Sequence, residues 1–166
     1  MRNFQQYVHS GWEEIASCGK DKHYFVRSDA AGVESAVSEI QYQLSIEVPE
    51  ELKTFFVEVG FGFLWFCLKS KKGLYRVLSP EEILNLYFEP EDDGAPDDFI
   101  TYRENAWSRL EENQLLAFCL FGEEDSLLYI GVSDGGVYYL SSNRKIAGSL
   151  HEFLELLDAE VDYFMS

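Results

Sequence analysis

The residues in this chain whose types could do chemistry do not stand at spacings that support it. His9, His23 and His151 are far from one another and from Cys18, Cys67 and Cys119, with no CxxC or HxxxH pair among them. A zinc centre needs clustered thiolate and imidazole donors, so this spacing encodes none. Nucleophilic hydrolysis needs an activated Ser or Cys beside a base, and no GxSxG elbow is present. Ser133 falls in Ser133-Asp134-Gly135-Gly136, which a hairpin turn explains in full, and Cys119 sits in an apolar run that reads as strand core.

Phosphate and cation motifs fail on the same grounds. Gly60-Phe61-Gly62 starts like a dinucleotide fingerprint, but Trp65 stands where the third glycine is needed, and the segment reads as strand. Lys71-Lys72-Gly73 lies in a hairpin and lacks the upstream glycine of a phosphate loop. Glu91-Asp92-Asp93-Gly94 has the carboxylates a calcium loop uses, yet with Gly94 sixth the twelfth position is Ile100 rather than a bidentate Glu. That excludes an EF-hand and leaves weak divalent binding open. The expectation is a protein without a catalytic set, resident metal or cofactor.

Charge is more informative. Val77 to Asn143 holds fifteen Asp and Glu against two Arg, which supplies −13 of a formal charge of −17. A one-signed surface steers oppositely charged partners and repels nucleic acid. The basic cluster Lys69, Lys71, Lys72 and Arg76 reads as a solvated hairpin tip. A basic protein is therefore the expected partner, with no nucleic acid and no membrane, since no apolar run approaches the roughly 18 residues a bilayer span needs. Three widely spaced cysteines and no leader-like segment give the expectation of a soluble cytoplasmic protein without a disulfide framework.

The elements that would position these residues follow from periodicity. Phe4, Tyr7, Val8, Trp12 and Ile15 share a helical face, as do Val33, Ala36, Val37, Ile40 and Leu44. A third helix is expected with Pro49 in its first turn, Leu52, Phe55, Phe56 and Val59 as its buried stripe, and Gly60 as its stop. Strands are expected over 63–68 and 74–78. Ser79, Pro80 and Glu82 then announce a helix through a capping box.

Residues 89–99 read as a loop broken by Pro90 and Pro96, and 102–113 as a helix. Strands are expected over 115–121, 127–132 and 137–140, followed by a helix capped by Ser149 with Glu152 completing a second box. Its apolar face is Leu150, Phe153, Leu154, Leu157 and Val161. With 46% apolar residues the chain can bury roughly 70% of its unfolded surface in one core. Helices, a hairpin, helices, a strand meander and a helix argue for α+β with an antiparallel sheet in a single domain.

These residues also resemble a family. Val33-Glu34-Ser35-Ala36 through Ile40, then Val48-Pro49-Glu50-Glu51-Leu52-Lys53-Thr54-Phe55-Phe56, resemble the opening of the SUKH superfamily, which includes bacterial toxin-immunity proteins and fungal cell-wall regulators. Leu78-Ser79-Pro80-Glu81-Glu82-Ile83, Leu116-Ala117-Phe118 through Tyr138-Tyr139-Leu140, and Ile146-Ala147 through Leu154 follow in the family's order. The departures are Val59-Gly60-Phe61-Gly62, where many members carry a polar residue before paired glycines, and the acidic insertion at 89–98. Residues 33–158 form the best-matching part of one domain spanning 1–166, with 1–32 expected as an N-terminal helical segment.

The resemblance implies a curved antiparallel sheet flanked by helices and a non-enzymatic protein that binds and neutralises a cognate toxin. A basic nuclease would suit the charge. The alternative is a regulatory or scaffold module that inhibits nothing. On the toxin reading Glu91, Asp92, Asp93, Asp97 and Asp98 are expected to steer the partner, with Phe99, Tyr102 and Trp107 beside them as aromatic anchors; the plainer reading is a solvated acidic loop that needs no partner, with the aromatics packed in the core. The sequence leaves the partner's identity and any homo-oligomer open.

Overall fold

The computed structural model describes residues 22–26, 30–67, 72–88, 98–121, 126–139, 144–159 and 164. Within them seven strands form one antiparallel sheet in chain order: β1 (Lys22–Val26), β2 (Phe61–Cys67), β3 (Lys72–Val77), β4 (Leu115–Phe121), β5 (Ser126–Gly131), β6 (Val137–Tyr139) and β7 (Arg144–Ala147). Five helices accompany them: α1 (Ala30–Leu44), α2 (Glu50–Glu58), α3 (Pro80–Tyr87), α4 (Asp98–Asn113) and α5 (Leu150–Ala159). The expected α+β class with an antiparallel sheet is the observed one.

Several elements form where local chemistry dictates. In α1, Val33, Val37, Ile40 and Leu44 are buried on one face, as their spacing requires. At α3 the Ser79 hydroxyl accepts from the Glu82 N–H at 3.1 Å, while the Glu82 carboxylate accepts from the Ser79 N–H at 3.2 Å. Pro80 occupies the first turn, where its missing N–H costs nothing. The second oxygen of Glu82 is paired with Arg76 of β3, which ties that partly exposed side chain to the α3 cap.

Other expectations are corrected. Pro49 takes the N-cap position of α2 rather than its first turn, with its carbonyl accepting from Leu52 and Lys53. Gly60 and Gly62 adopt φ of 111° and 144°, positive values that suit glycine where the chain passes from α2 into β2. At α5, Ser149 caps the Glu152 N–H at 3.1 Å, but the Glu152 carboxylate reaches back to the Gly148 N–H. The loop expected through Phe99 ends earlier, because α4 begins at Asp98.

Two strands were not anticipated. The segment expected as helical over 1–32 contains β1, and residues 1–21, including the expected helix at 4–15, lie outside the described residues. Lys22-His23-Tyr24-Phe25-Val26 is rich in aromatic and β-branched types that fit a pleated surface once β2 offers its edge. At the other edge β7 begins with Arg144 and Lys145, both exposed, which hides it from an apolar search and protects the edge from pairing with another chain.

The core gathers on β4, of whose residues six are buried and Leu120 is half-buried. Phe153 of α5 meets Tyr75 and Phe118 edge-on at 6.2 and 6.5 Å between ring centroids. Tyr75 and Phe121 stack at 4.9 Å, and Phe164 closes the group against Phe121 and Tyr139 at 5.6 and 5.0 Å. Val161, expected on the α5 face, lies outside the described residues.

Candidate partner-binding surface

The surface around α4 is set by how that helix docks. The α3 sequence ends with no basic residue in its last turn, and its terminal carbonyls have no N–H to accept within the helix. The missing donors come from α4. Arg103 donates from Nε to the Leu86 carbonyl at 2.9 Å and from Nη2 to those of Asn85 and Phe88 at 2.9 and 3.4 Å. One turn further, Trp107 donates from Nε1 to the Tyr87 carbonyl at 2.7 Å. The planar guanidinium is suited to bridging several carbonyls at once.

Tyr87 carries the linkage into the sheet. Its hydroxyl accepts from the Ala117 N–H at 3.0 Å, where the β4–β5 register shifts. Burial pushes its phenol well above the ordinary tyrosine range. Trp107 packs edge-on to Tyr87 and Phe88 at 5.3 and 5.5 Å. Trp107 is therefore held by a hydrogen bond and two ring contacts on one side and remains half-buried.

Of the residues expected at an interface, Tyr102 and Trp107 lie on α4, both partly buried against the core. Asp98 and Phe99 form its first turn, which puts them at the same end of the helix as Tyr102. Glu91, Asp92, Asp93 and Asp97 lie outside the described residues.

Beside Trp107 is a groove of ≈ 600 Å³ that the sequence did not reveal. Leu44 and Leu110 are buried in it, while Ile46, Trp107 and Val132 are half-buried. Glu47 and Glu111, both exposed, line it with Gln114. Its volume is in the range of binding pockets generally, about 300–1,000 Å³. Lining residues come from the end of α1, from α4 and from the β5–β6 turn, three segments that no single periodic pattern connects.

Both loops at this groove are tied down. Ser45 and Gln114, which follow α1 and α4, take φ of 54° and 55°, the left-handed conformation that ends a helix. The Gln114 carbonyl accepts from the Val132 N–H at 3.0 Å, and its side-chain oxygen accepts from Ser133 Oγ at 3.0 Å. That gives Ser133 a turn-fixing role. Across the groove, Gln41 Oε1 accepts from the Val48 N–H at 3.0 Å. Tyr42, 81% exposed, stands in the last turn of α1 and is not among the groove's lining residues.

Groups of chemical interest elsewhere are occupied structurally. The Cys119 thiol is fully buried, and burial raises its pKa far above the ordinary thiol range, which suppresses the reactive thiolate. Among the described residues, no three His, Cys, Asp or Glu side chains converge as a metal site requires. No described helix is long and apolar enough to cross a membrane.

Comparison with known proteins adds one likeness. The chain is 28% identical over 135 residues to the protein named Immunity protein YxxD of Bacillus subtilis (strain 168), a match covering 80% of this chain and 84% of that protein. No family model matches the chain.

Proposed function

We propose that this chain is an immunity protein of SUKH type that binds a cognate toxin in the cytoplasm and neutralises it by stoichiometric contact, with no chemistry of its own. The observation that carries this reading is the similarity, over 80% of this chain, to a protein named for immunity. The concentration of −13 charges between Val77 and Asn143 supports a basic partner, with a nuclease as the toxin class that such a surface would steer and cover. In this reading Glu91, Asp92, Asp93, Asp97 and Asp98 accelerate encounter, while Phe99, Tyr102 and the exposed part of Trp107 contribute desolvated contact.

The test is affinity capture of the partner from the native organism at low and high salt, followed by co-expression of this chain with the captured toxin domain. Protection should saturate at a 1:1 ratio, and the two chains should co-purify. Absence of both binding and protection at low salt sinks the reading for that toxin. Protection at far below stoichiometric amounts would reveal an enzyme instead.

A further inference from the structure

We propose that the groove between the end of α1 and α4 receives an apolar side chain presented on a Lys- or Arg-bearing segment of the toxin; this rests on the immunity reading above. Shape and charge each restrict the occupant. The buried Leu44 and Leu110 and the half-buried Ile46 and Val132 offer apolar contact, which favours an aliphatic or aromatic side chain over a polar one. Glu47 and Glu111 then set the sign of what surrounds that anchor.

No lysine or arginine is among the groove's described lining residues, and α1 contains neither. On α4 the Arg103 guanidinium is committed to the α3 carbonyls, and the half-buried Arg109 acts electrostatically on Tyr129 of β5. An acidic segment approaching here would meet like charge from Glu47 and Glu111, with Glu104 and Glu112 also exposed on α4. A basic segment meets the complementary charge of Glu47 and Glu111.

The groove is also preformed. Its two loops are fixed by the Gln114–Val132, Gln114–Ser133 and Gln41–Val48 hydrogen bonds, so little ordering free energy is lost on binding.

The probe is a short synthetic amphipathic helix of Leu and Lys, with a Leu and Glu helix of the same pattern as control, titrated into the isotope-labelled full chain. The expected result is shift changes at the Trp107 indole N–H, Ile46 and Val132 with the Lys peptide only. Glu47→Lys with Glu111→Lys should weaken it by about tenfold or more, while Tyr42→Ala, away from the lining residues, should leave it unchanged. All three positions are exposed, and circular dichroism should be unchanged.

Equal binding of the Glu peptide, shifts confined to other surfaces, or indifference to charge reversal would overturn the assignment. So would contacts from residues 1–21 to the Trp107 indole in the free chain, or a dimer dissolved by the same substitutions. The toxin domain separates this proposal from the functional reading. If wild type and the double reversal bind it equally well, the groove assignment falls and immunity stands. If the toxin is not bound while the Lys peptide is, immunity falls and the groove stands.

Discussion

The carboxylate of Glu51, in the first turn of α2, accepts a hydrogen bond at 3.0 Å from the N–H of Leu150, the first residue of α5, across 99 positions of sequence. Leu150 N–H is one of the donors that a helix start leaves unpaired, and an anion there also meets the positive end of the helix dipole. Glu51 thus caps a second helix while belonging to the first turn of its own. The contact joins the two helices that pack against each other beside the sheet.

Glu51→Ala should therefore destabilise the protein by about 1 kcal/mol, within the range of about 0.5–2 known for lost caps. Urea denaturation would measure it. Glu51→Gln, which keeps an acceptor, should recover most of the loss; equal loss in both variants would show that the hydrogen bond is not what matters.

Trp107→Phe keeps the ring packing and removes the donor to the Tyr87 carbonyl. The expected cost is about 1–2 kcal/mol, read from thermal or urea unfolding. Trp107→Ala should cost more, about 3–5 kcal/mol, because the contacts with Tyr87 and Phe88 go too. A loss of toxin binding in the Ala variant must therefore be compared with the Phe variant, in which the groove wall persists. If Trp107→Phe is as stable as wild type, the hydrogen bond from Trp107 to the Tyr87 carbonyl has no energetic weight.

Replacing Asp92, Asp93, Asp97 and Asp98 with Asn should slow association with a basic partner and flatten its dependence on salt, leaving dissociation nearly unchanged. Exposed charges act over a Debye length of about 8 Å at physiological salt, so their effect falls on encounter. Stopped-flow association at two ionic strengths decides it. Unchanged kinetics would remove this loop from the steering surface.

Asp134 offers a pH-dependent test of the β5–β6–β7 end of the sheet. Its Oδ2 accepts from Tyr138 Oη at 2.6 Å and from Lys145 Nζ at 3.1 Å, and Oδ1 accepts from the Gly136 N–H at 2.9 Å. The Tyr138 hydrogen bond, helped by Gly136 and Lys145, holds the carboxyl below the usual carboxylate range, and the same bond pushes Tyr138 up to about 12. Asp134 thus stabilises the fold above its unfolded pKa, and that contribution is lost as pH falls through its depressed folded value. Tyr138 acts in the opposite sense, its contribution being lost as pH rises towards about 12. Carboxyl carbon NMR should show Asp134 titrating at higher pH in Tyr138→Phe. An unmoved titration would mean that the hydroxyl is not the dominant partner.

The sequence by itself determined the elements whose causes lie within a few residues. The Ser79–Glu82 capping box, the α1 face of Val33, Val37, Ile40 and Leu44, the Gly60 stop and the Ser133–Gly136 turn all arise from spacing and backbone preference. The α+β class followed from their order. Only the tertiary structure decided features that depend on distant partners. Strands β1 and β7 are recruited by the neighbouring strands β2 and β6 rather than by their own periodicity. Trp107 was legible as an aromatic beside an acidic stretch, but its indole donor is fixed by a carbonyl twenty positions away. The groove was illegible for the same reason: Leu44, Leu110 and Val132 become neighbours only once α1, α4 and the β5–β6 turn have packed. Periodicity records which face of an element is apolar. Packing alone decides which of those faces close against each other and which leave a surface open to a partner.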